Sequence, residues 1–499
     1  MLNLAVRNTK KLIRLKSKEE NVRIGRTFTK KATAAMMAEL LPFHGKTAVS
    51  ILDPGAGTGI LSAAAVEAAC RAGAKEITLC CYETNPEQAE MLRNNLKRIR
   101  RKAHHDYGAK LIFRVEEENF VCAMRDVFTP TLLTVEIPEY DAVIMNPPSE
   151  LCAKKSPEAQ SVGNLCTDET DLSFLFAVMG VLCLKEGGKL VTLLPTAFAG
   201  AHHLDRIRAW IAESSRIERI HLFLRRSLAE GKADALRKTM MVSFVKETAT
   251  DDSLIQVSTS HDEGEQVEML PPQEYGKVVT EDGTLVLMKS SYDLDLLRCL
   301  EKMPETLSSL GLVAHTGLTL DSRYPDMLRD TPEGGAIPLL HPACMELGQI
   351  KFPLKNKNQY IIPAIPSLAQ KNKNMLLMKR VPSKSDRRRF VCAVYLASQL
   401  PRNPVISTNN KFNYIDYADG REMDANFLYG LYAVLSSDLY SDYSGVMSPS
   451  GSIGASKLAD LPLPNEQTIR TIGSKVLITR QLSPRICTQL VYSTLRLTK

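Results

Sequence analysis

The sequence lacks a long hydrophobic segment, a secretion signal and a metal-ligand spacing. In 499 residues there is no uninterrupted run of 18 or more apolar residues, so we predict no transmembrane helix. The basic N-terminus has no long apolar stretch with a small-residue cleavage site, which argues against secretion. The eleven cysteines include no C-x-x-C pair and no His/Cys cluster. We therefore expect a reducing cytoplasm, without disulfides and without a bound metal.

The length and the hydrophobic pattern predict at least two domains. A chain of 499 residues is too long for one ordinary core. Up to residue 246, buried strand-like runs alternate with helical patterns, which predicts an open, mostly parallel α/β sheet. The sequence then becomes polar and loses its periodicity, so we place a domain boundary between 246 and 247. The rest, 247–499, mixes short strand-like runs with helices. The predicted strands of the first half are 47–53, 75–83, 110–117, 141–146, 188–195 and 239–246.

Positive charge is concentrated in two blocks, although the net charge is only +7. Residues 1–31 and residues 355–389 each contain ten Lys or Arg, and the second block ends in Arg387-Arg388-Arg389. Such blocks are compatible with a groove that binds a polyanion. Taken alone, they more often form ordinary solvated surface.

A glycine-rich turn, DPGAGTG (53–59), follows the first predicted strand. Glycines at alternate positions allow a tight turn and bring a ligand close to main-chain N–H groups at a helix start. The spacing differs from the G-x-G-x-x-G fingerprint of dinucleotide sites. Glu83 ends the second predicted strand, where a carboxylate can accept hydrogen bonds from ribose hydroxyls. Together they predict a site for a nucleoside joined to an amino acid, rather than a purely structural loop.

The buried run DAVIM (141–145) stops at Asn146-Pro147-Pro148-Ser149. Because two prolines fix the backbone, the Asn146 amide oxygen and the Pro147 carbonyl can converge on one NH₂ group. Two such acceptors would pull an aromatic amine towards tetrahedral geometry and free its lone pair for attack, without a charged base. The alternative is a turn that only ends a strand.

These motifs, in this order, resemble the gamma-group N6-adenine DNA methyltransferases of restriction-modification systems, and the likeness spans nearly the whole chain. RIGRTFTKKATAAMMAELL (23–41) is similar to the family's F-F-T-P segment. In the second half, TGLTLDSRYPDML, AIPLLHPACM and ISTNNKFNYI look like target-recognition sequences of the Pst and Bsu B type. The resemblance implies a Rossmann-like, S-adenosylmethionine-dependent methyltransferase domain over 1–246 and a mixed α+β DNA target-recognition domain over 247–499.

The resemblance also implies S-adenosyl-L-methionine as cofactor and double-stranded DNA as substrate, with the target adenine flipped out of the duplex. We expect a cytoplasmic, DNA-associated monomer without membrane contact, with a separately encoded restriction endonuclease as a candidate partner. The implied active-site loop is Asn146, Pro147, Pro148 and Ser149. The implied cofactor-binding residues are Phe28, Thr29, Asp53, Gly55, Gly57, Gly59, Glu83, Asn119 and Phe120. The residues expected to contact DNA are Phe198, His202, Lys384, Arg387, Arg388 and Arg389.

Three positions depart from the family pattern. Ser149 stands where the family has an aromatic ring that stacks on the flipped base, a contact worth about 1–3 kcal/mol per base. Phe198, or His202 and His203, are candidate replacements for that ring. Asn119 stands in place of an aspartate, and Lys30 in place of a proline.

Three hypotheses about function follow from these residues. The leading one is an active DNA adenine methyltransferase with sequence specificity. The second is a degenerate copy that binds DNA without turnover, which the three departures favour. The third keeps the chemistry but changes the acceptor, because Asn-Pro-Pro motifs also resemble those of glutamine and RNA methyltransferases, although the former are much shorter than this chain. The sequence leaves the recognition sequence open.

Overall fold

A computed structural model describes residues 1–14, 28–125, 128, 137–224, 239–262, 264–354, 357–383, 386, 388–447 and 454–497. The chain divides into two units, Met1–Ser290 and Ser291–Lys499. No helix within the described ranges is long and apolar enough to cross a membrane.

The first unit contains twelve strands and nine helices within those ranges. Its strands are β1 Ala48–Pro54, β2 Glu76–Tyr82, β3 Lys110–Glu116, β4 Tyr140–Met145, β5 Leu151–Cys152, β6 Thr170–Asp171, β7 Leu184–Pro195, β8 Arg216–Phe223, β9 Thr239–Val245, β10 Leu254–Ser260, β11 Glu268–Met269 and β12 Gln273–Glu274. Its helices are α1 Leu2–Arg14, α2 Lys31–Glu39, α3 Ile60–Arg71, α4 Pro86–Tyr107, α5 Phe120–Ala123, α6 Pro157–Ser161, α7 Leu172–Leu182, α8 Asp205–Ser214 and α9 Tyr275–Val278.

One large sheet organises this unit, in the order β11-β10-β8-β9-β7-β4-β1-β2-β3. Strands β1, β2, β3, β4 and β7 are parallel, whereas β9 runs antiparallel to both of its neighbours. The strand order reverses between β1 and β4, and in open α/β sheets ligands bind outside the carboxyl ends of the strands at such a switch point. The Rossmann-like fold predicted for this unit is confirmed.

Continuous apolar sequence explains the centre of the sheet. All six residues of β4 are buried, and the alanine-rich helix α3 is buried on most of its surface. Strands buried on both faces read as uninterrupted hydrophobic runs. The strand predicted over 188–195 was too short, because β7 already begins at Leu184, directly after α7 ends at Leu182. Gly188 permits this early start: a Cβ there would lie 2.8 Å from the Lys185 carbonyl oxygen.

The predicted boundary at 246 is wrong, because the polar segment that follows contains another strand of the sheet. β10 pairs in parallel with β8, and its Ser258 and Ser260 side chains are buried. Both hydroxyls lie within hydrogen-bond distance of His221, at 2.9 and 3.1 Å. Burial lowers the pKa of His221 to about 4, so the ring is neutral at pH 7. Polar residues thus fill a buried strand that resembled a linker.

The second unit has the mixed α+β composition that the sequence predicted. Its larger sheet has the order β14-β24-β21-β22-β18-β17, and a second sheet has the order β15-β19-β16-β23-β20. The strands of this unit are β13 Glu305–Thr306, β14 Leu312–Thr316, β15 Leu328–Arg329, β16 Ile337–Leu340, β17 Met345–Glu346, β18 Gln349–Ile350, β19 Tyr360–Ile361, β20 Gln370–Lys371, β21 Met375–Lys379, β22 Cys392–Tyr395, β23 Val405–Thr408, β24 Phe412–Tyr417 and β25 Pro462–Leu463. Its helices are α10 Ser291–Glu301, α11 Ala425–Leu435, α12 Asp438–Met447, α13 Glu466–Thr479 and α14 Pro484–Leu495.

The close packing of α3 on α4 yields a stability prediction at Gly59, which has a φ of +86° and precedes α3. A Cβ at Gly59 would lie 2.6 Å from Leu92 Cδ1, whereas a Cβ at Gly73, with a φ of +97°, would meet nothing within 4 Å. Both alanine variants incur the left-handed strain of about 1–2 kcal/mol, but only Gly59→Ala adds overpacking of about 1–3 kcal/mol. In urea unfolding followed by circular dichroism, Gly59→Ala should lower the midpoint clearly more than Gly73→Ala. Equal midpoints would contradict this packing.

Candidate functional site

The carboxyl edge of the sheet surrounds a cavity of about 960 Å³. That volume is typical of small-molecule sites. The cavity gathers residues from the ends of β1, β2, β4 and β7 and from the segment before α2. The sequence-predicted residues that line it are Phe28, Thr29, Gly55, Gly57, Glu83, Asn119, Phe120, Asn146, Pro147, Pro148 and Ser149.

Glu83 and the glycine turn are joined directly. The Gly57 N–H donates to Glu83 Oε2 at 2.8 Å, and the Asn85 N–H donates to Glu83 Oε1 at 2.7 Å. Burial raises the pKa of Glu83, and these backbone hydrogen bonds oppose that shift. Each carboxylate oxygen has a second lone pair, so a fixed Glu83 can still accept from ribose hydroxyls.

Aromatic rings and open backbone complete the cofactor side of the cavity. Gly55 and Gly57 have φ values of +77° and +55°, and a Cβ at Gly57 would lie 3.3 Å from the Phe28 ring. Phe120 packs between Tyr82 and Phe176, with ring centroids 5.2 and 5.6 Å apart. A carboxylate beside an apolar aromatic wall and a side-chain-free turn fits S-adenosylmethionine.

Asp53 and Gly59 do not line the cavity, contrary to the prediction that they contact the cofactor. Asp53 is fully buried and accepts a 2.5 Å hydrogen bond from the Ser62 hydroxyl. Its Oδ1 atom has no hydrogen-bond partner among the described residues. Gly59 packs against Leu92. Both residues therefore have a structural role beside the glycine turn and do not face the cavity.

Asn119 has a different role from the predicted one. Its Oδ1 accepts from the Val121 and Cys122 N–H groups at 3.0 and 3.4 Å and so caps α5. Its Nδ2 donates to Glu158 at 3.0 Å. The side-chain oxygen of this residue, which was expected to bind the cofactor, is therefore already used by the helix cap.

Asn146 lies directly after β4, at the rim of the cavity. Its Nδ2 donates to the Thr29 hydroxyl oxygen at 3.2 Å. An amide has a donor NH₂ end and an acceptor oxygen end. This contact directs the NH₂ end of Asn146 at Thr29.

Ser149 anchors the loop instead of stacking. Its hydroxyl donates to Asp171 Oδ2 at 2.8 Å. Asp171 in turn caps α7, accepting from the Ser173 N–H at 3.1 Å. The serine thus ties the Asn-Pro-Pro loop to the start of a buried helix.

The prediction that Phe198 replaces the ring missing at Ser149 is wrong. This side chain is 2% exposed and lies between Phe174 and Phe244, with centroids 5.9 and 6.2 Å away. It can neither stack on a flipped base nor contact DNA, because the core encloses it. His202 is exposed and bonded to Asp205, but it does not line the cavity.

The second basic block does not present the arginines that the sequence suggested. Lys384 and Arg387 lie outside the described residues. Arg388 forms an ion pair with Asp438, and burial lowers the pKa of Arg389. The prediction that these two arginines contact DNA phosphates stays a prediction, although neither side chain is fully exposed.

Sequence reasoning missed part of the cavity wall. Leu193 and Pro195 end β7, and Thr239 begins β9 beside them. The sequence could have predicted Leu193 and Pro195, because they end a buried hydrophobic run and ligands lie at the carboxyl ends of strands. The sequence could not have predicted Thr239, because this residue reaches the cavity only if β9 runs antiparallel to β7. Among the residues that the structure describes, no cluster of His, Cys, Asp or Glu could hold a metal ion.

Comparison with known proteins agrees with this geometry, although no protein-family model matches the chain. The type II methyltransferase M.PstI of Providencia stuartii is 25% identical over 462 residues, which cover 91% of this chain and 89% of that protein. The type II methyltransferase M.BsuBI of Bacillus subtilis is 22% identical over 468 residues, 93% and 91% of the two chains. The chain is thus similar to type II methyltransferases over most of its length.

The resemblance inferred from the motifs is thereby confirmed, and S-adenosylmethionine is the cofactor of this methyltransferase. The relatives support a DNA methyltransferase. Solved structures with a similar fold include the type IIG restriction endonuclease BpuSI, at 12% identity and a TM-score of 0.42, covering 94% of this chain and 65% of that one. The type ISP enzyme LlaGI matches at 12% identity and a TM-score of 0.44, covering 91% and 55%.

The buried Asp53 makes the stability of this methyltransferase depend on pH. Burial raises the pKa of Asp53 from 3.8 to about 7, against the hydrogen bond from Ser62. The folded chain then binds the proton more tightly than the unfolded chain. Stability should therefore fall as the pH rises from about 4 to about 7 and change no further above that, at about 1.4 kcal/mol per pKa unit.

Asp53→Asn should remove this dependence, because asparagine can accept from Ser62 without ionising. In thermal scans from pH 5 to pH 8, its melting temperature should exceed that of the wild type by a margin that grows up to about pH 7 and then stays level. The exposed Asp252→Asn is the matched control. A margin for Asp53→Asn that is constant over this range would rule out the titration of Asp53.

Proposed function

We propose that this protein is a site-specific DNA adenine N6-methyltransferase. It transfers a methyl group to the exocyclic amine of an adenine that has been flipped out of the duplex. The observation that carries this proposal is the Asn146 amide, which the Thr29 hydroxyl orients at the rim of the cofactor cavity.

The chemistry needs acceptors more than it needs a base. Bound S-adenosylmethionine supplies a methyl group on a positively charged sulfur. The Asn146 oxygen and the Pro147 carbonyl accept the two amine hydrogens, which draws the nitrogen lone pair out of the adenine ring and towards the methyl donor. Acceptors held in place before the reaction stabilise the charge that develops on the amine.

DNA is proposed as the acceptor because both relatives are type II methyltransferases and both matches cover the second unit as well as the first. An amine inside a duplex cannot reach a recessed cavity, so the base must leave the stack. We assign target recognition to the second unit. The exposed cations of α1 are better candidates for phosphate contacts than Arg388, namely Arg7, Lys10, Lys11 and Arg14.

Without a ring at Ser149, the flipped base needs another surface. Strand β7 is the direct neighbour of β4, with Met145 opposite Thr192. The next residues of β7, Leu193 to Pro195, line the cavity together with Thr239. We infer that the base rests against this largely apolar wall.

A DNA-binding copy with weak or no turnover is the second candidate. It is favoured by Ser149, which has no ring to stack, and by Asn119, whose oxygen caps a helix. Measured turnover separates the two candidates.

Asn146→Ala should lower the rate of methyl transfer at least 100-fold, because the lost contact forms only with the reacting amine. The affinity for S-adenosylmethionine should stay within about twofold of the wild-type value. Purified protein is incubated with unmethylated DNA and tritiated S-adenosylmethionine. The DNA is then digested to nucleosides, which are identified by liquid chromatography and mass spectrometry. The expected product is N6-methyladenine. Asn94→Ala, an exposed asparagine on α4, should behave as wild type.

Other outcomes point elsewhere. Label on cytosine, or on RNA but not DNA, would refute the proposed acceptor. Label on no nucleic acid would leave the inactive DNA-binding copy as the better description.

Glu83→Gln should weaken S-adenosylmethionine binding by about ten- to 100-fold. A hydrogen bond to a charged group contributes about 1.5–3 kcal/mol, and the glutamine also disturbs the contact that holds Gly57. Isothermal titration calorimetry measures the loss, with the exposed Glu90→Gln as control. Equal affinities for wild type and Glu83→Gln would show that the cofactor does not contact this carboxylate.

A further inference from the structure

Thr29 connects the N-terminal part of the chain to the reacting centre. The resemblance assigned this residue to the cofactor, yet its hydroxyl oxygen accepts from Asn146 Nδ2 at 3.2 Å. Thr29 is 9% exposed, so the hydrogen bond is largely shielded from water. Its neighbour Phe28 packs against Gly57 of the cofactor turn.

The chemistry of an amide explains why such a contact matters. The two ends of an asparagine side chain have nearly the same shape and opposite polarity. With the NH₂ end towards the substrate, donors would face the donor hydrogens of the amine and repel it. In this structure the Thr29 hydroxyl oxygen accepts from Nδ2, so the NH₂ end of the Asn146 amide is directed at Thr29 and the oxygen end is not.

The segment that carries Thr29 makes two contacts at the residue that follows it. Lys30 forms an ion pair with Asp262 at 3.6 Å, and its carbonyl accepts from the Ala34 N–H to begin α2. Lys30 is the residue that replaces the family's proline. The ion pair provides a local anchor where the rigid residue is missing.

We propose that Thr29 is a positioning residue that sets the orientation of the Asn146 amide, and that Phe28 and Thr29 together link the cofactor turn to the amine acceptor. This inference rests on the proposed function, because it takes Asn146 as the group that holds the amine.

The test compares Thr29→Val, which keeps the shape and loses the oxygen, with Thr29→Ser, which keeps the oxygen. Thr29→Val should lower kcat at saturating S-adenosylmethionine at least tenfold, with the Kd for S-adenosylmethionine unchanged within about twofold. Thr29→Ser should retain most of the wild-type kcat. Thr47→Val, at the exposed residue just before β1, controls for the substitution itself.

Two results would overturn the proposal. If Thr29→Val raises the Kd for S-adenosylmethionine and leaves kcat at saturation unchanged, Thr29 is a cofactor ligand. If kcat and Kd both stay at wild-type values, the hydrogen bond has no role in positioning.

A spectroscopic readout keeps the test independent of turnover, should the wild type methylate no nucleic acid. In protein labelled with ¹⁵N-asparagine, the Asn146 side-chain NH₂ signal is identified by its loss in Asn146→Ala. Thr29→Val should shift that signal and Thr29→Ser should leave it near the wild-type position. No shift in Thr29→Val would refute the positioning contact itself, whereas a shift without turnover would refute only the proposed function.

Discussion

The parallel pairing of β1 with β4 is the constraint on which the site depends. Residues distant in the sequence, Ile51 and Leu52 of β1, lie beside Ala142 and Val143 of β4. Because the strands are parallel, their carboxyl ends meet at one edge, and the glycine turn comes to lie next to Asn146. The strand order reverses at this pair, which opens the crevice between the crossover helices. The cofactor turn and Asn146 are neighbours for that reason.

Side-chain hydrogen bonds then fix what the sheet brings together. Glu83 holds the turn through Gly57, Thr29 orients Asn146, and Ser149 ties the loop to Asp171. The last contact changes the meaning of the serine. In place of a ring that would stack on the base, the loop has a polar anchor to the start of α7. The serine therefore has a structural role in the Asn-Pro-Pro loop.

The sequence predicted the central strands closely, because parallel strands buried on both faces are continuous apolar runs. The pattern did not predict that β9 runs antiparallel between β7 and β8, since direction leaves no mark on periodicity. β10 was mistaken for a linker because its buried serines depend on a distant histidine, His221. At the site, the backbone motifs were predictable. The hydrogen-bond partners of Asn119, Asn146 and Ser149 could not be predicted. They lie in other parts of the fold, or they are backbone groups of a helix cap.

The most direct measurement of the central claim is sequencing of native DNA, with detection of modified bases, from cells that lack endogenous methylation. One culture expresses the wild-type chain and another expresses Asn146→Ala at equal level. The account predicts N6-methyladenine at one short sequence throughout the first genome and at background in the second. Equal N6-methyladenine in both genomes, or modified cytosine in the first, would contradict the claim that the amide at the end of β4 holds an adenine amine for methylation.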